Sequence, residues 1–128
     1  MTRQFLLRAC VGALLLAGLA AARPSVLAGV DGGLWEVTGQ GPPARLCIGD
    51  PLVLAVYEHR SASCTRSVLR TDGQSAVVSY SCSGGGFGQS QLFLLTPRSL
   101  EIDTQGILRG EPYHYVLAAR RVGDCPRH

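Results

Sequence analysis

Ser75-Ala76-Val77-Val78-Ser79-Tyr80-Ser81-Cys82 is the stretch whose reading decides the fold. Ala76, Val78, Tyr80 and Cys82 fall on one face and Ser79, Ser81 and the following Ser83 on the other, the period-two pattern of a half-buried strand. Just upstream, Asp72-Gly73 suits a hairpin turn because both residues tolerate positive φ, so Arg66 to Thr71 is expected to pair with this strand. Downstream, Gly84-Gly85-Gly86-Phe87-Gly88 breaks the chain as a turn or bulge. Gln89 to Thr96 then forms a strand ended by Pro97. Ser99 to Thr104 sets Leu100 and Ile102 against Ser99, Glu101 and Asp103, which predicts a strand with a solvated acidic face and a turn near Gln105-Gly106. Tyr113 to Val122 is the long closing strand.

Upstream of the meander, Gly33-Leu34-Trp35-Glu36-Val37-Thr38 alternates and stops at Gly39 and Gly41, and Ala44 to Ile48 is a short second strand. Asp50-Pro51 then opens Leu52 to His59, a capping residue followed by proline at the first helical position. The expectation is a mostly β fold, an antiparallel meander of about seven strands with one short helix between strands 2 and 3. Each strand has one apolar face to bury. Curling into an open or closed barrel, with the helix over an end or an edge, does this; a flatter sheet with the helix across its concave face is the alternative.

Length allows one modest domain: the chain has 128 residues, 46% hydrophobic and 16% charged, which excludes a disordered charged tail. All 12 basic residues are arginine, formal charge is +3, and the five cysteines are an odd set. Residues 1–28 read as a secretory signal, with Arg3 and Arg8 ahead of the apolar run Ala9 to Ala22, which is too short to span a bilayer comfortably. Small residues offer cleavage after Ala22 or after Ala28; the second keeps Pro24 out of the first positions of the product and is preferred, leaving 29–128 as a single disulfide-stabilised β domain. Removal of the leader takes away Arg3, Arg8, Arg23 and Cys10. Arginines and acids then balance, so a nucleic-acid partner loses its support, and no stable membrane insertion is expected after cleavage.

Cys47, Cys64, Cys82 and Cys125 are then an even set in an exported chain, and two disulfides follow. Sequence leaves three pairings open. Cys47 with Cys64 would staple the helical excursion, and Cys82 with Cys125 would tie a mid-sheet strand to the C-terminus, which is the preferred scheme.

The opening G-x-W-E-V at Gly33 to Val37, the cysteines at strand ends and the closing Arg121-Val122-Gly123-Asp124-Cys125 together resemble the small exported proteobacterial proteins of domain of unknown function 3617. The likeness covers essentially the whole mature chain, though the stretch between Thr38 and Cys47 is shorter than in relatives. It implies export to the periplasm of a Gram-negative bacterium, with secretion as the alternative, and cystines; it implies no activity. A weaker likeness is to the calycin barrels, in which a first-strand Trp packs beneath an arginine from the far end. Trp35 with Arg120 or Arg121 is the candidate cation–π contact, set against a Trp in an ordinary core with two surface arginines.

No catalytic set is evident. The glycine string lacks a following Lys-Ser or Lys-Thr, so it is not a phosphate loop. His59, His114 and His128 lack the close spacing a zinc site wants, so no metal and no cofactor are expected. Asp103, His114 and a serine could be assembled into a triad, yet no G-x-S-x-G frames any serine. The leading expectation is a non-enzymatic binding or interaction domain whose calyx takes a small apolar ligand. A small hydrolase using His114 or His59, and a structural partner docking through a sheet edge, are the alternatives.

Overall fold

A computed structural model describes residues 26–127. Seven strands form one antiparallel sheet: β1 (Gly33–Thr38), β2 (Ala44–Ile48), β3 (Cys64–Thr71), β4 (Ser75–Cys82), β5 (Phe87–Thr96), β6 (Ser99–Leu108) and β7 (Glu111–Gly123). The order across the sheet is β2-β1-β7-β6-β5-β4-β3, so β7 turns back to pair with β1 and the sheet is left open at β2 and β3. It is a barrel-like sheet that does not close. The one α-helix among the described residues, α1 (Leu52–Ala55), lies between β2 and β3 as the sequence predicts.

Local chemistry sets the turns. At the β3–β4 connection the Asp72 carboxylate accepts from the backbone N–H of Gln74 at 2.8 Å and of Ser75 at 2.7 Å. Those bonds hold its pKa below the usual carboxylate value. The turn expected near Gln105-Gly106 lies further on. β6 runs through both residues to Leu108, and the chain reverses at Arg109-Gly110, where φ is +52° and +78°. Positive φ at both central residues matches the right-handed twist of the flanking strands. Gly106 sits inside the strand for another reason: a Cβ there would lie 2.7 Å from the Tyr113 hydroxyl oxygen and 2.3 Å from the Phe87 carbonyl oxygen.

The helix is shorter than expected and differently placed. Asp50 Oδ1 accepts from Leu52 N–H at 3.0 Å, but α1 ends at Ala55, Val56 leaves helical geometry, and Tyr57–His59 continues as a 3₁₀ turn. Because β2 and β3 are opposite edges, the segment joining them has to cross the whole sheet, and α1 packs on β5 and β6 rather than over an end. That is the helix position of the flatter-sheet alternative. Leu54 and Ala55 fill the concave side together with Trp35, Leu92, Leu100 and Ile102, all buried. Ser90 Oγ donates to Ala55 O and is paired with Thr104 Oγ1 at 2.8 Å, which ties the helix to the sheet and satisfies the hydroxyls.

The reading of residues 1–28 as a leader lies mostly outside the described residues, but its last positions do not. Val26–Gly29 forms a 3₁₀ turn in which Val26 and Leu27 are buried members of the main core. Cleavage after Ala28 would remove both side chains, and cleavage after Ala22 would keep them. A chain starting at Gly29 is expected to be less stable than one starting at Arg23 by roughly 3–6 kcal/mol, from two buried aliphatic side chains at about 1.5–3 each. Urea melts of the two would check this, and equal midpoints would refute it.

Candidate functional site

The disulfides connect Cys47 with Cys125 and Cys64 with Cys82, which corrects the preferred pairing. Cys64 and Cys82 are register partners on β3 and β4. Cys47 cannot reach Cys64 because β2 and β3 are opposite edges of the sheet. Instead Leu34 pairs with Cys47 on one side and with Gly123 on the other, so the tail beyond β7 passes over β1 and brings the Cys125 Cα to 5.4 Å from that of Cys47.

Trp35 and Arg121 are register partners. The guanidinium is committed elsewhere: Nε donates to Gly32 O at 2.8 Å and Nη2 to Asp124 Oδ1. Arg120 points to the other face, 3.7 Å from Glu36 Oε1. Trp35 is fully buried and donates Nε1–H to Asp31 O at 2.9 Å. Among the described residues the arginine found over an aromatic ring is Arg60, 4.2 Å from the Tyr57 ring centre.

The two candidate base histidines lie on opposite sides of the sheet. His59 is buried on the inner side, its Nε2 3.2 Å from the Tyr113 hydroxyl, which also bonds the Tyr80 hydroxyl. Burial holds the imidazole pKa below its ordinary value, and desolvation with the Tyr80 contact pushes Tyr113 far above the phenol range. His59 is therefore held toward its neutral form. An unfolded histidine takes a proton near pH about 6.5 while the native one resists it, so stability should fall as pH drops from 7 through 6.5 and be flat above. Glu58, raised by burial against the opposing pull of Arg60, acts in the opposite sense at lower pH. Urea melts between pH 7.5 and 5.5 should show this slope in the native chain and lose it in His59→Gln.

His114 is on the outer face, 2.8 Å from Asp103 Oδ1. The imagined triad is thus two-thirds assembled. The serine in its cross-strand row is Ser79, three strands away, or ~14 Å at the ~4.8 Å strand spacing. Among the described residues no nucleophile stands in the cross-strand row within reach of the pair, and no cluster of three or more His, Cys, Asp or Glu could hold a metal.

What the outer face does carry is an ordered pair of rows running across the strands. Register places Ser67, Ser79, Gln89, Gln105 and His114 in one line from β3 to β7. The adjacent line holds Ser81, Phe87, Ile107 and Pro112. Between β4 and β7 these rows border a groove of about 760 Å³ with the opposed Gly88 and Gly106 at its floor. Side chains at either glycine would strike the opposing strand: a Cβ on Gly88 would meet Gln105 O at 2.4 Å and the Tyr80 hydroxyl at 2.5 Å. Phe87 is 54% exposed, a large apolar side chain at the groove edge, and among the described residues no arginine lines the groove. The Gln89 and Gln105 side-chain amides make no hydrogen bond to another described group, so their donors and acceptors face the groove unused.

The sequence reading missed this site. Gln89, Gln105 and Phe87 are separated along the chain and converge only through register, while the concave side expected to take an apolar ligand is filled by side chains. Among the described residues no helix is long and apolar enough to cross a membrane. Comparison with protein families, curated proteins and solved structures finds no match to this chain.

Proposed function

We propose that the chain is an exported, cystine-bonded binding domain that carries out no chemical step, and that the outer-face groove holds its ligand. The observation that carries this reading is the pair of unengaged glutamine amides beside an exposed phenylalanine over a glycine-floored depression. Pockets that orient ligands combine apolar walls with a few convergent polar groups, and pockets of this volume are the usual size. Two disulfides fit an oxidising compartment, and the resemblance to the domain of unknown function 3617 proteins supports the periplasm.

Edge docking is the second reading, favoured by the open β3 edge, where Val68 and Leu69 are 43% and 58% exposed. Against it, β3 carries a register break between Val68 and Arg70 and arginines on both sides, devices that discourage strand addition.

A photo-crosslinking amino acid decides between the surfaces. Placed at Gln89 or Gln105 in the exported protein, it is expected to form an adduct, while at Glu101 on the same face and at Leu69 on the edge it does not. Adducts at Leu69 alone, or equal labelling at all positions, would sink the groove reading.

A further inference from the structure

Resting on the groove as the ligand site, we infer that it binds a neutral, extended glycan strand lying across β4 to β7. The pitch of the site is the first argument. Row partners on neighbouring strands stand ~4.8 Å apart, about the length of one pyranose unit in an extended chain. An extended peptide presents same-face side chains every ~6.6 Å and would fall out of step after one residue. From Ser79 to His114 the row covers ~14 Å, room for about three sugar units.

Hydrogen-bonding chemistry is the second argument. A sugar hydroxyl both donates and accepts, and a glutamine amide does the same through its NH₂ and carbonyl, so one side chain can engage two adjacent hydroxyls. Gln89 and Gln105 stand side by side in register with no side-chain partner among the described residues, with Ser79 and His114 at the row ends. An apolar ligand would bury these amides without partners, at a cost the groove gives no means to offset.

Charge is the third. A phosphate-bearing ligand calls for arginine or lysine, and among the described residues none lines the groove; at its end His114 Nε2 and Asp103 Oδ1 are 2.8 Å apart and hydrogen-bonded to each other. The parallel row of Phe87, Ile107 and Pro112 supplies the complementary surface, since the C–H face of a pyranose ring is apolar and packs on an aromatic or aliphatic wall. The backbone of the paired Gly88 and Gly106 forms the floor between the rows.

The test is backbone amide shift mapping of the folded, oxidised protein titrated with cellotetraose and chitotetraose, with an uncharged tetrapeptide as comparator. Saturable shifts at Gly88, Gln89, Gln105 and Gly106 with a tetrasaccharide are expected, weakened about tenfold or more in Gln89→Ala/Gln105→Ala, whose exposed positions should leave the melting temperature unchanged. Phe87→Ala should weaken the same titration. Shifts elsewhere, binding that survives the double substitution, preference for the tetrapeptide, or no response to either sugar would each overturn the glycan assignment. Crosslinking at Gln89 in the same protein separates the failures: an adduct with no sugar response removes the glycan and keeps the groove, and no adduct removes both.

Discussion

Loss of the Cys47–Cys125 bond is expected to remove a large part of the net stability of the fold. The bond closes a loop of 78 residues, and restricting the unfolded chain to that extent is worth about 4.5 kcal/mol in the chain-entropy account, against a whole net stability of roughly 5–15 kcal/mol. It also fastens the edge strand β2 to the tail of β7, holding together the two ends of the chain that border β1. Cys64–Cys82 closes only 18 residues and joins partners already opposed in one hairpin, so its loss should cost less, about 3 kcal/mol. Denaturant melts of Cys47→Ala/Cys125→Ala and Cys64→Ala/Cys82→Ala would check the order. A larger loss from the second pair, or a melting curve indifferent to reductant, would refute it.

Trp35→Ala is expected to destabilise the fold by about 3–5 kcal/mol, the range for removing a fully buried aromatic whose site cannot collapse. Trp35 packs where β1 meets β7, and its indole N–H also satisfies Asp31 O. Trp35→Phe keeps most of the apolar volume but leaves that carbonyl without its partner, a further loss of about 1 kcal/mol. Combining Trp35→Phe with Arg121→Ala should give near-additive losses, with coupling under about 0.5 kcal/mol, because the guanidinium bonds Gly32 and Asp124. Coupling well above 1 kcal/mol, measured by a double-mutant cycle in urea, would place the cation on the indole after all.

These two effects share a cause. In a sheet where β1 and β2 join from the N-terminal side and the meander returns to them only at β7, closure depends on contacts between the ends of the chain. Trp35 supplies the apolar part of that junction and Cys47–Cys125 the covalent part. The groove lies elsewhere, on the outer surface of β4 to β7, so substitutions at Gln89, Gln105 and Phe87 leave the junction undisturbed.

The sequence by itself determined the seven strands, the helical insertion after Asp50-Pro51, the β3–β4 turn at Asp72 and the identity of the cysteines that pair. Those features are legible because each is local: side chains alternate with period two along a strand, and capping and turn chemistry act within a few residues. Tertiary structure alone decided which cysteines meet, that α1 fills the concave side, that Arg121 bonds Gly32, and that Phe87, Gln89, Gln105 and His114 border one groove. Each of these depends on strand order and register, which are set by burying every apolar face at once and are written in no single stretch of chain.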